Sequence, residues 1–303
     1  MTEQHPPRAL RWALRFHPAA YRAEHEAELS AIYVEATEGV GSLGRLREAL
    51  DVAGHGLRQR TGLGSDRTAG QVLAHAAPLA AAVATGGSVA NLLWLVNPDV
   101  RTLPSSSLAG ALVFADQIFV SLLWLATLAA IWTGRWSLAR ALVVPATALR
   151  LADLPLLLFA HFDFHGAYTG AVMNLTMPLL TGAVVLAAPR DLLGTSRPQR
   201  VAITSVTVLA VLMTAAQLIN IYYPPLGPRL THMLWAGVLA VALLFNRRHR
   251  LLAAGLAVAA LPTALQVTVP LHPFSPAGAF SLFLVLVSGT VPLLRARRNP
   301  APR

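Results

Sequence analysis

Residues 141–165 read ALVVPATALRLADLPLLLFAHFDFH, and their interpretation decides the fold. An apolar run of this length suits a helix crossing a bilayer, which takes about 20 residues. Arg150 and Asp153 interrupt it near the middle, and His161-x-Asp163-x-His165 closes it. An unpaired charge at the centre of a membrane costs at least about 2.5–3.5 kcal/mol. Such side chains turn inward, so what surrounds this stretch sets their role.

Composition identifies the surroundings as membrane. Of 303 residues, 55% are hydrophobic and only 13% charged, with a mean hydropathy of +0.54. Soluble domains carry roughly 25% charged residues. Eight apolar runs follow Gln71, at about 72–96, 108–133, 141–160, 168–188, 201–222, 229–245, 251–271 and 279–294. The expected fold is therefore all-α: a polytopic bundle of eight transmembrane helices over residues 69–303, behind a small N-terminal helical domain over 1–68. No cleavable signal peptide is expected, because a charged segment precedes the first apolar run.

The net charge of +10 is a matter of topology. Residues 1–68 hold nine Arg and nine acids and are neutral; the excess lies in the rest, 15 Arg against five acids. With the N-terminus inside, inner loops and the tail hold twelve Arg, including Arg135, Arg140, Arg190, Arg247 and Arg295, while outer loops hold Arg101 and Arg229. That is a positive-inside distribution, not a nucleic-acid surface. It places both termini in the cytoplasm of a multi-pass protein. All basic residues are Arg, which together with abundant Ala, Gly and Pro suggests a GC-rich bacterium and its cytoplasmic membrane. The absence of Cys removes disulfides and thiolate chemistry.

Two constellations carry candidate chemistry. Asp116 lies eight residues into the second run and Arg150 nine into the third, each roughly 12–14 Å deep. Asp153 is i+3 from Arg150 and shares its face. The three are expected to meet, Arg150 between two carboxylates, either as a polar site for a proton, ion or charged ligand or as a structural ion pair. His161, Asp163 and His165 suit a metal ion at the outer face, or else are ordinary interfacial residues beside Phe162 and Phe164. Trp94, Trp132 and Trp136 sit at run ends, as interface anchors do.

A faint internal repeat pairs residues 70–190 with 198–298. Thr147-Ala148-Leu149-Arg150 echoes Thr263-Ala264-Leu265-Gln266, and Met177-Pro178-Leu179-Leu180 echoes Val291-Pro292-Leu293-Leu294. Four crossings per unit would make a 4+4 parallel duplication.

The front domain is expected to hold three helices, to about residue 17, over 19–37 and over 45–60. In the last, Leu46, Leu50, Ala53 and Leu57 align as the inward face. Some 55 residues make a marginal core, so docking on the membrane surface or self-association is expected. Arg8, Arg11 and Arg15 share one face of the first helix; with Arg58 and Arg60 they are candidates to meet anionic lipid or a partner.

Leu14, Arg15, Phe16, Pro18, Tyr21, Arg22, Glu26, Glu28 and Leu29 resemble the bacterial permease prefix domain, over about a fifth of the chain. In that family the domain precedes ABC-exporter-type permeases and often lies beside PadR-like regulators. The eight-helix remainder resembles integral membrane proteins of GC-rich bacteria. The resemblance implies cytoplasmic placement and a regulatory or interaction role with a cytoplasmic protein partner. The leading expectation is a non-enzymatic sensor or signalling membrane protein, with homo-oligomerisation open. A secondary transporter using Asp116, Arg150 and Asp153 is the alternative, and a metal-dependent membrane enzyme a third. No H-E-x-x-H or G-x-S-x-G motif occurs, and no catalytic residue is assigned.

Overall fold

A computed structural model describes residues 7–96, 108–160, 178–194, 196–222 and 250–268. They are helical, with no strand among the described residues. The chain divides into two units, Met1–Gln71 and Val72–Arg303.

The first unit contains α1 (Arg8–Leu14), α2 (Ala19–Thr37) and α3 (Ser42–Thr61). Pro7 and Pro18 precede α1 and α2, where a missing N–H costs nothing. Gly62 ends α3 at φ 70°, with the Leu63 N–H donating to the Arg58 carbonyl at 2.8 Å. The core is Leu10, Ala13 and Leu14 of α1 against Tyr33 of α2 and Ala49 and Ala53 of α3. Ala53 is buried as expected, but the expected face of α3 is corrected for its leucines. Ala49, Ala53 and Gly56 point inward, whereas Leu46, Leu50 and Leu57 are about half exposed. The reason is steric. Gly56 has no Cβ, and a Cβ there would lie 2.7 Å from His17 Cγ and Cε1. The small-residue face thus lets α1 and the residues after it approach closely, which leucines would prevent.

In the second unit α4 (Thr68–Val96), α5 (Leu108–Trp132) and α6 (Trp136–Ala160) are followed by α7 (Pro178–Ala187), α8 (Arg197–Tyr222) and α9 (Arg250–Thr268). Among the described residues three helices are long and apolar enough to cross a membrane, within α4, α5 and α8. Of these three, α4 is by far the most buried and serves as the hub, while α5 and α8 are mostly exposed. Glycines set its approach to its neighbours. Gly86 lies against Ala210, Thr207 and Val211 of α8, and Gly255 of α9 against His75 and Ala76 of α4. The buried Thr85 hydroxyl donates to the Trp124 carbonyl of α5 at 3.0 Å.

α5 and α8 keep large apolar side chains outside, including Phe119, Leu122, Val201, Val208 and Leu212. Small residues inside and leucines or aromatics outside invert the water-soluble pattern and fit a lipid-facing bundle. Trp136, expected as an interface anchor, is instead packed in the core, while Trp132 is partly exposed.

Candidate functional site

The hairpin of α5 and α6 builds the site. α5 stops at Trp132 because Gly134 adopts φ 76°, and the Arg135 N–H caps the Ala130 carbonyl at 2.7 Å. α6 starts at Trp136, only three residues intervening, so the helices run antiparallel side by side. Asp116 lies 16 residues before Trp132 and Arg150 lies 14 after Trp136, or about 24 and 21 Å along the two helices. Turn geometry thus brings them level. Because α6 begins at Trp136 and not at Ala141, Arg150 sits further from the turn than its apolar run implied.

The Arg150 guanidinium bridges two α5 side chains. Its Nη1 donates to Asp116 Oδ2 at 3.1 Å, and its Nη2 donates to Gln117 Oε1 at 2.6 Å. The Arg150 and Asp116 side chains are 18% and 19% exposed, so the ion pair is largely withdrawn from solvent. A guanidinium fork suits this geometry, since separate N–H groups reach an anionic and a neutral acceptor at once. Chemically the described part of the cluster is polar and sets one cation against one carboxylate. An anion can compete with Asp116 for Arg150, and a proton or cation can compete with Arg150 for Asp116.

Asp153 lies in α6 three residues beyond Arg150, and the helix continues through Pro155 to Ala160; its side chain falls outside the described residues. The His161, Asp163 and His165 cluster lies outside them as well, as do the runs 229–245 and 279–294 of the expected second repeat unit. Among the described residues no group of three or more His, Asp or Glu is placed to hold a metal.

Three features escaped sequence reading. Gln117 is uncharged and drew no notice, although its place beside Asp116 in an apolar run was a signal. Arg140, counted as a loop charge, is buried, and its Nη2 donates to the Ala188 carbonyl just past α7. There a cation meets the negative end of a helix. The third is an aromatic stack in the N-terminal unit. His17 is fully buried and stacks on Tyr21 at 5.4 Å; His55 lies 5.7 Å away and His25 packs edge-on against Tyr21 at 4.4 Å. Burial first, then the neighbouring His55, holds the His17 pKa below its ordinary 6.5, with smaller contributions from Arg22 and Arg60.

Of the candidate lipid-facing arginines, Arg8, Arg11 and Arg15 are exposed on α1 and at its end. Arg60 instead donates from Nη2 to the Arg15 and His17 carbonyls at 3.2 and 3.4 Å, tying the end of α1 to α3. Arg58 lies back over Gly54 on α3. Compared with family models, curated proteins and solved structures, the chain matches none.

Proposed function

We propose that this chain is a multi-pass membrane sensor or regulatory component. In this reading eight helices cross the cytoplasmic membrane of a bacterium, both termini face the cytoplasm, and the N-terminal unit engages a cytoplasmic protein. The observation that carries it is the Arg150 clamp on Asp116 and Gln117 within an apolar hairpin. Such a cluster has two discrete states, paired or competed open, and a competing ligand shifts the balance between them by its differential affinity. The permease-prefix resemblance supports assigning the output to residues 1–68. No sequence motif for covalent catalysis accompanies the cluster.

The same intramembrane charges favour a second reading, a secondary transporter in which Asp116, Arg150 and Asp153 bind the cargo or coupling ion. One experiment in the native host separates the two. Strains carrying Asp116→Asn, or a deletion of residues 8–61, are compared with a full deletion at matched protein levels. Regulation predicts that both variants reproduce the transcript changes of the full deletion. Transport predicts that only Asp116→Asn alters solute pools, the truncated protein behaving as wild type. Transcripts and pools unchanged in the full deletion would refute the sensor reading.

A further inference from the structure

α3 buries its small residues and exposes its large ones. Leu43 is 82% exposed, and Leu46, Leu50 and Leu57 are each about half exposed. At 100° per residue these four fall within an arc of about 60°. The buried Ala49, Ala53 and Gly56 adjoin the stripe on one side. Arg47 and Arg58 flank it on the other, with Asp51 about 20–40° beyond them, while Glu48 lies nearly opposite, about 160° from Leu50. The result is a 20-residue helix with a leucine ridge and an arginine border, the pattern of an interfacial helix lying in an anionic headgroup layer.

We infer that α3 docks through this ridge on the anionic lipid surface of the leaflet from which α4 departs. The inference rests on reading α4 as a membrane span. Two observations favour lipid over a protein occupant. Six residues separate Thr61 from Thr68, so the end of α3 stays within about 25 Å of the start of an apolar helix. The leucines also offer roughly half of the ~800 Å² per partner that stable protein interfaces bury. Arg47 and Arg58 supply a net positive flank over the single carboxylate of Asp51, and near an anionic surface each unit of net positive charge shifts the docked population by roughly fivefold. Docking would couple the N-terminal unit to membrane composition, because the same ridge is solvated when anionic lipid is lacking.

The absence of native cysteine makes the test direct. Full-length protein carrying Leu50→Cys, or Arg45→Cys on the far side of α3, is labelled with an environment-sensitive fluorophore. It is then reconstituted into vesicles of phosphatidylcholine with or without phosphatidylglycerol, each doped with a doxyl-lipid quencher. The Leu50→Cys probe is expected to be quenched in phosphatidylglycerol vesicles and much less in phosphatidylcholine alone. Arg47→Glu with Arg58→Glu should abolish the difference, and the Arg45→Cys probe should remain unquenched throughout. A solvated Leu50→Cys probe in phosphatidylglycerol vesicles that retain the protein after alkaline carbonate overturns the docking. So does shielding that persists in detergent and rises with protein density, which would assign the ridge to a second copy. Loss of the protein from the vesicles in carbonate overturns the membrane reading itself, and the docking with it.

Discussion

Adjacent glycines on α4 offer a controlled test of the packing that makes this helix the hub. A Cβ built at Gly86 falls 2.5 Å from Ala210 Cβ, 2.7 Å from the Thr207 carbonyl oxygen and 3.0 Å from the Val211 nitrogen. Two of these are α8 backbone atoms, so no rotamer change relieves them; the helices must separate. A Cβ at Gly87 meets only the Thr214 hydroxyl, at an ordinary 3.7 Å. Replacing either glycine by alanine gains about 1 kcal/mol of helix propensity. That gain cancels between the variants and leaves the overpacking term, about 1–3 kcal/mol, against Gly86→Ala alone. For a unit of this size each kcal/mol moves the midpoint by about 2–4 °C. Gly86→Ala should therefore melt roughly 2–12 °C below Gly87→Ala when purified full-length protein is heated in detergent and followed by tryptophan fluorescence. Gly87→Ala should match or exceed wild type. Equal midpoints, or Gly86→Ala the more stable, would refute the close approach of α4 and α8.

The remaining predictions concern the polar clusters. Asp116→Leu removes the carboxylate that Arg150 holds at 3.1 Å and should destabilise the second unit by about 2–4 kcal/mol; adding Arg150→Leu should recover part of it in a thermal double-mutant cycle, and strict additivity would contradict the coupling. His17 binds its proton less readily folded than unfolded, so the unfolded chain takes up more protons as pH falls below about 6.5. Stability of the N-terminal unit is thus full above that value and declines below it. Amide protection in α1 and α3 should fall between about pH 7.5 and about pH 5.5, and His17→Phe should flatten the profile. The other groups around His17 are Tyr21, His55, Arg22 and Arg60. Gly56→Ala should loosen α1 from α3 by about 1–3 kcal/mol through its clash with the His17 ring, seen as faster amide exchange over 8–17, and His17→Ala should suppress the defect.

How much of this was legible depended on what each residue advertises. The break at His17-Pro18 and the Gly-rich turn after Thr37 delimit α2, and hydropathy located α4, α5 and α8. Charge in an apolar run marked Asp116 and Arg150, because the cost of an unpaired ion is a strong constraint. Weaker signals went unread. Periodicity favours the face with the largest side chains, so it grouped Ala53 with the α3 leucines, although close approach selected Ala49, Ala53 and Gly56. Hydropathy opened the third run at Ala141. The helix begins at Trp136, because Gly134 closes the preceding one, and this carries Arg140 from a loop into the bundle. Gln117 became part of the site through its neighbour on the partner helix, a fact of tertiary pairing that no local pattern encodes.

In the proposed reading the α5–α6 hairpin crosses a bilayer with its Gly134 turn in the cytoplasm. Single-cysteine labelling measures this most directly, since the chain has no background thiol. Ser42→Cys and Arg135→Cys proteins are exposed to a membrane-impermeant maleimide on spheroplasts and on inverted vesicles. Both should label on inverted vesicles and stay protected on intact spheroplasts. Labelling of Arg135→Cys from the outside, or of either cysteine equally from both sides, would contradict the account.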